Sequence, residues 1–229
     1  MSRLVVLSGA GLSAESGLGT FRDVGGLWSR YDLAEVATPE GYAADPAKVL
    51  AFYDARRANM AAASPNAAHR ALARLSRRDG VTLVTQNVDD LLERAGARDV
   101  VHMHGELARA LCGRCGHRMA SPPVIAPDDP CPACGAARLR PDVVWFGEVP
   151  YRMDEIEARL AEADLFVAIG TSGSVYPAAG FADVARAAGA RTIELTLEPS
   201  GARFDEVRAG PATLTVPAWV AEVLGGPAS

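Results

Sequence analysis

Short β-branched or apolar runs stand at residues 4–7, 81–85, 100–103, 143–146, 165–169, 192–197 and 213–216. Most lack the in-and-out alternation of a sheet with one wet face, so they read as strands buried on both sides. Between several of them lie Ala-rich stretches with helical spacing, at 67–78, 153–163 and 178–188, each closed by Gly, polar or charged residues. Strand alternating with helix predicts an α/β architecture, a parallel sheet covered on both faces. Two segments interrupt the alternation. Residues 25–65 show loop and helix patterns with no strand, and residues 106–141 hold all four cysteines and six prolines, too punctuated for a sheet core. Both are expected to form a smaller lobe beside the α/β domain.

Composition narrows this picture without redirecting it. At ~150 residues per domain, 229 residues make one large domain or a large and a small one. A hydrophobic share of 49% with 22% charged residues is enough for a buried core and excludes disorder for most of the length. The net charge is −5, and no basic, aromatic-interleaved stretch surrounds the cysteines, so no nucleic-acid partner is expected. The first apolar run passes directly into a Gly-rich turn without a basic leader or cleavage site, and no run approaches the ~20 residues that cross a bilayer. A cytoplasmic monomer with no membrane contact is expected. In that compartment cysteines stay reduced and seek a metal rather than each other.

The first strand feeds Gly9-Ala10-Gly11-Leu12-Ser13-Ala14, a G-x-G-x-x-A run in the strand-to-helix setting of dinucleotide sites. Glycines there let backbone approach a pyrophosphate, and a helix N-terminus offers unpaired N–H groups to its charge. Glycine turns after strands also arise for steric reasons alone. The acidic ribose anchor usual ~20 positions on is missing, because that stretch is Phe21-Arg22-Asp23. An ordinary dehydrogenase is therefore disfavoured.

Cys112-x2-Cys115 and Cys131-x2-Cys134, separated by 15 residues, fit a four-thiolate zinc site. Gly116 and Gly135 follow the two knuckles, where a tight turn would aim N–H groups at sulfur. Four sulfurs fill the coordination shell, so one structural Zn2+ with no open position is predicted.

Thr85-Gln86-Asn87-Val88-Asp89-Asp90 follows a strand and leads into a helix at Leu91. An Asn or Asp there can simply cap the helix. A row of polar side chains at the carboxyl end of a parallel strand is also where α/β sites form. His102 and His104 stand two apart near the end of the next strand, and Gly170-Thr171-Ser172 follows another. These strand ends converge on one crevice.

Taken in order, Gly9 to Gly17 with Thr20-Phe21-Arg22, Thr85 to Asp89, His104-Gly105, the paired Cys-x2-Cys, Val144-Trp145-Phe146-Gly147-Glu148 and Gly170-Thr171-Ser172 resemble the sirtuins over almost the whole chain. The closest likeness is to bacterial NAD-dependent protein-lysine deacylases of the desuccinylase and demalonylase branch, through Ala37-Thr38-Pro39 and Tyr53-Asp54-Ala55-Arg56. The resemblance implies a reaction that consumes NAD. An acyl-lysine oxygen attacks C1′ of the nicotinamide ribose, nicotinamide leaves, and deacylated lysine and O-acyl-ADP-ribose result. It implies His104 as general base, a role suited to a neutral imidazole with an ordinary pKa of ~6.5. Asn87 and Asp89 would join it around the nicotinamide ribose. Implied NAD contacts are Gly9, Ala10, Gly11, Ser13, Glu15, Thr20, Phe21, Arg22, Trp28, Gln86, Val88, Gly170, Thr171 and Ser172, with Thr196, Leu197, Glu198 and Ala212 toward the adenosine.

Acyl choice also has a physical argument. Tyr53 and Arg56 are three apart in the helical stretch 46–60 and project from one face. A phenol beside a guanidinium in an apolar channel would pair with the distal carboxylate of a succinyl or malonyl group, a charge-assisted contact of roughly 1.5–3 kcal/mol. Acetyl offers it nothing. Ala37 leaves room for a longer chain, and Val144 and Phe146 would flank the substrate. Thr196, Gly19 and Asp142 stand where the family often has Asn, Pro and His. The sequence is thus read as a Rossmann-type domain over 1–24, 66–105 and 142–229, with a helical insertion at 25–65 carrying the acyl pocket and a zinc ribbon at 106–141. Two rival readings are transfer of ADP-ribose to a protein side chain and a non-catalytic zinc-ribbon binding module.

Overall fold

The structure, a computed structural model, describes residues 3–19 and 32–225. Strand β1 (Leu4–Ser8) is buried along its whole length, and its alternation serves two cores at once. Leu4 and Val6 face one side, packed on Ala68, Leu72 and Leu75 of a helix at Ala67–Leu75 and on Val216, Trp219 and Val220 of another at Ala212–Val223. Val5 and Leu7 face the other, packed on Ile156 and Leu160 of Met153–Ala161 and on Phe181 and Ala185 of Phe181–Ala187. A sheet covered this way needs strands without a wet face, the continuous apolar runs of the sequence.

In chain order, β1 is followed by 3-10 turns at Ala10–Leu12 and Ala14–Ser16, then by α1 (Leu33–Val36), α2 (Pro39–Ala44), α3 (Pro46–Ala62) and α4 (Ala67–Leu75). Then come β2 (Val81–Thr85), α5 (Leu91–Arg94), β3 (Val101–His102), β4 (Gly105–Cys112), β5 (Arg118–Ala120) and β6 (Leu139–Val143). The last part holds α6 (Met153–Ala161), β7 (Leu165–Ile169), α7 (Phe181–Ala187), β8 (Arg191–Thr196), β9 (Glu206–Ala209) and α8 (Ala212–Val223). The main sheet runs β3-β2-β1-β7-β8-β9, with every pairing parallel. Strand order reverses between β1 and β7, so the crevice outside their carboxyl ends is the natural ligand position of such a sheet.

A second, antiparallel sheet β5-β4-β6 carries the cysteines. It packs against the helical segment before α4. Val36, Phe52, Tyr53, Leu107, Val143 and Trp145 share one cluster, while Leu50 joins Ala110, Cys112, Cys131 and Leu139 in another. The short helices start where local chemistry dictates. Thr38 and Asp45 cap Gly41 N and Lys48 N at 3.0 Å each, and Pro39 and Pro46 follow at the first helical position.

Several expectations are corrected here. The run at 213–216 is not a strand but the first part of α8, where Val216, Trp219 and Val220 are buried at helical spacing. Only Val143 of 143–146 lies in a strand, and that strand belongs to the antiparallel sheet. The punctuated segment 106–141 does form a sheet of its own. No α-helix follows β1 directly. The Gly-rich run folds into 3-10 turns at Ala10–Leu12 and Ala14–Ser16 where the N-terminus of a helix was expected. Strand β9, a polar edge strand, had no signal in the sequence. Among the described residues no helix is long and apolar enough to cross a membrane.

Candidate active site

A cleft of about 1040 Å³ opens where β1 and β7 part and runs on between the main sheet and the smaller lobe. Every expected site residue among the described ones, the metal ligands aside, lines it. Thr20, Phe21, Arg22 and Trp28 lie outside the described residues. Gly9, Ala10, Gly11, Ser13 and Glu15 border the cleft at one end with Gly170, Thr171 and Ser172, and Thr196, Leu197, Glu198 and Ala212 continue that border. Gln86, Asn87, Val88, Asp89 and His104 occupy the middle, and Ala37, Tyr53, Arg56, Val144 and Phe146 the other end.

The glycines have a sharper reason than proximity to a ligand. Gly11 N–H donates to Gly170 O at 2.9 Å, and a Cβ on Gly11 would lie 2.7 Å from Gly170 Cα. A Cβ on Gly9 would meet Gly170 O at 2.9 Å. The two loops at the switch point therefore touch backbone to backbone, and this contact shapes the floor of the cleft. At the far end of the same loop, Glu15 takes the Thr213 N–H at 3.0 Å and the Thr213 hydroxyl at 2.7 Å, tying it to the start of α8.

In the middle of the cleft the hydrogen bonds fix proton positions. The His104 Nδ1 sits 3.1 Å from Gln86 O. A carbonyl only accepts, so Nδ1 carries the proton and Nε2 keeps its lone pair. Burial lowers the His104 pKa, against the opposing pull of the Gln86 carbonyl, so the ring is neutral near pH 7. His102 is the opposite case. Its two nitrogens lie 3.2 Å from Asn87 O and 2.9 Å from Glu93 Oε1, both acceptors. Burial works against its charge, but the Glu93 hydrogen bond and charge, with Glu106 and the Asn87 carbonyl, outweigh it and raise the pKa.

Asn87 and Asp89 are held through a residue the sequence reading did not single out. His69, fully buried on α4, accepts the Asn66 N–H at Nδ1 over 3.2 Å, so its Nε2–H donates to Ser13 Oγ, also 3.2 Å away. Ser13 in turn donates to Asp89 Oδ2 at 2.9 Å and accepts from Asn87 Nδ2 at 3.2 Å. Asp89 Oδ1 takes the Leu91 N–H at 3.1 Å. Its carboxyl pKa is nonetheless raised, burial outweighing these donors. Burial, with Arg70 adding to it, pushes His69 down to about 4. A histidine at the third position of a capped amphipathic helix, on its buried face, was the available signal.

The four cysteine sulfurs lie within 4.8 Å of one another, with Cys112 to Cys134 and Cys115 to Cys131 each at 3.8 Å. A zinc tetrahedron with Zn–S near 2.3 Å has S···S edges of about 3.8 Å, whereas a disulfide needs about 2.05 Å. The donor set fits one Zn2+. Gly116 and Gly135 adopt φ of +73° and +71° after the knuckles, as that turn requires.

The profile of the Sir2 family matches residues 9–177. The chain belongs to the Sir2 family. Sir2 relatives span nearly all of it. An NAD-dependent protein deacylase of Caulobacter vibrioides is 58% identical over 230 residues, covering 97% of both chains. One of Escherichia coli is 52% identical, covering 98% of this chain and 83% of its own. A Sir2 homologue solved as an NAD complex superposes with a TM-score of 0.90 at 38% identity, over 97% of this chain and 90% of that one. For a Sir2 protein, the Rossmann-type sheet and the cysteine cluster in a smaller lobe are the fold that the sequence resemblance implied, and the second sheet is what the structure adds.

Proposed function

We propose that this chain is an NAD-dependent protein-lysine deacylase that releases nicotinamide and O-acyl-ADP-ribose and prefers succinyl and malonyl groups to acetyl. The observation that carries the reading is His104, a neutral imidazole whose Nδ1 proton is committed to Gln86 O and whose Nε2 is an acceptor in the cleft of a Sir2-family fold. The relatives' shared name, NAD-dependent protein deacylase, supports this reaction over ADP-ribosyl transfer to protein and over a non-catalytic zinc module.

NAD, once bound, supplies the electrophilic anomeric carbon and a leaving group. The chain's own residues do the rest. His104 Nε2 takes a proton from a ribose hydroxyl, general-base work that needs a pKa at or below neutrality. Asn87 and Asp89, locked by Ser13 and His69, present an amide and a carboxyl in fixed orientation to the nicotinamide ribose side. The Gly9–Gly11 and Gly170–Ser172 loops hold phosphate and ribose, and Thr196, Leu197, Glu198 and Ala212 flank the adenosine. Arg22 belongs to the same assignment. Tyr53 and Arg56, with Ala37, Val144 and Phe146, take the acyl group. The division into 1–24, 66–105 and 142–229 against 25–65 and 106–141 follows the same reading; the two cores on the main sheet support it, while Val143 and Trp145 pack with Phe52, Tyr53 and Leu107 across it.

Incubation with labelled NAD and acetyl, malonyl or succinyl versions of one peptide tests the proposal. Nicotinamide release that requires an acyl peptide, fastest with succinyl or malonyl, is expected. Label left on protein without a peptide would favour ADP-ribosyl transfer. His104→Ala should bind NAD while losing turnover by about 10²-fold or more; a near wild-type rate would remove His104 from the reaction.

A further inference from the structure

The acyl end of the cleft is organised by one hydrogen bond whose direction chemistry fixes. Trp145 Nε1 lies 2.9 Å from Tyr53 Oη, with both residues buried, at 3% and 1% exposure. An indole N–H only donates, so the Tyr53 oxygen accepts. The phenol's single proton must then go elsewhere. Arg56, whose guanidinium carbon is 5.5 Å from the Tyr53 ring centre, has no acceptor to offer it. Among the described residues no oxygen accepts from Tyr53 Oη, so its proton is left for a group arriving in the cleft.

The indole is itself clamped. Arg140 stacks on it at 3.8 Å and pairs with both Glu148 oxygens at 2.9 Å each, while Glu148 Oε2 also takes the Trp145 backbone N–H at 2.8 Å. The Tyr42 ring stands 5.2 Å from the indole. A cation over an indole face, a bidentate ion pair and a backbone hydrogen bond leave it little freedom to rotate.

We propose that Trp145 is a positioning residue for acyl-group selection: held by Arg140 and Glu148, its indole N–H turns the Tyr53 hydroxyl so that the phenol proton, beside Arg56, is presented to the distal carboxylate of a dicarboxylic acyl-lysine. This rests on the acyl reading of Tyr53 and Arg56 given above. Trp145 donates nothing to the substrate and acts through Tyr53.

The test compares wild type, Trp145→Phe, Tyr53→Phe and the double variant by the ratio of kcat/KM on succinyl and acetyl forms of one peptide. Trp145→Phe keeps an aromatic face under Arg140 and removes the donor together with part of the indole's volume. It should lower the ratio about tenfold, the size of one hydrogen bond to a charge-reading group, with the loss in KM for the succinyl peptide. The double variant should lose no more than Tyr53→Phe alone. An unchanged ratio, or a Trp145→Phe loss that persists in full on the Tyr53→Phe background, would overturn the positioning role while Tyr53 stays in place. A wild type and a Tyr53→Phe variant with the same ratio would overturn the acyl reading itself, and the role of Trp145 with it. Should Trp145→Phe fail to fold, Glu148→Gln, which loosens the clamp and keeps the indole, is expected to lower the same ratio, and an unchanged ratio there would also overturn the role.

Discussion

His102 and His104 stand two residues apart, and their pKa values are shifted in opposite directions, up for His102 and down for His104. A sequence shows only that both lie near the end of a strand. Partner chemistry separates them: two acceptors around His102 keep both its protons, while one carbonyl at His104 Nδ1 frees the other nitrogen. Because burial lowers the His104 pKa, the acid limb of kcat/KM should fall below the ordinary histidine value of ~6.5, and a limb above it would contradict a neutral buried base. His69 makes a second, thermodynamic prediction. Its pKa of about 4 lies below the unfolded value, so between pH 6.5 and 4 the unfolded chain binds a proton that the folded one refuses. Stability from this group is present above 6.5 and is lost as the pH drops toward 4. Urea unfolding at pH 7 and 4.5 should show His69→Gln losing about 2 to 3 kcal/mol less than wild type over that interval. Equal losses would mean that His69 is protonated without cost.

At the scale of elements, what the sequence conveyed depended on how each element is buried. The strands β1, β2, β7 and β8 sit in the middle of the sheet, and burial on both faces writes them as apolar runs. Strand β6 reads Leu-Arg-Pro-Asp-Val, and its two charges disguise it. They are buried because Arg140 pairs with Glu148 and Asp142 accepts from Arg118 and Tyr151, partners that only folding supplies. Helix α8 opens with β-branched residues and contains Pro217, which together imitate a strand, although the spacing of Val216, Trp219 and Val220 was helical. The cleft was far more legible than these elements, because its residues sit in contiguous motifs at strand ends. Trp145 and Glu148 were read only as members of a motif, without a role, and His69 was not read at all, since the contacts of each are with other side chains that folding brings to them. The zinc knuckles were fully readable, and they give an element-scale prediction. Cys134→Ser removes one of four ligands and should lower Tm by several degrees with loss of bound zinc, as measured by calorimetry and metal analysis. Full metal retention would argue against a four-thiolate site.

For the whole molecule, the two cores on the main sheet and the two in the smaller lobe meet along one cleft, with the reversal of strand order at its floor. The two ends of the cleft thus belong to different structural supports. One rests on backbone contacts between the Gly9–Gly11 and Gly170 loops, the other on α3. Helix α3 places Leu50 in the core of the cysteine-bearing sheet and Tyr53 against Trp145, and one turn on, Arg57 donates to Leu107 O at 3.0 Å and Pro123 O at 3.1 Å. One rod about 25 Å long therefore leans on the cysteine-bearing sheet at several points while carrying Tyr53 and Arg56 to the cleft. Partial chelation should consequently blur discrimination between succinyl and acetyl peptides before it weakens NAD affinity, a sequence of losses that titration with a chelator and parallel assays would display. The metal, held by cysteines that do not line the cleft, would then act as the tailstock of a lathe, keeping true the axis along which a substrate is gauged.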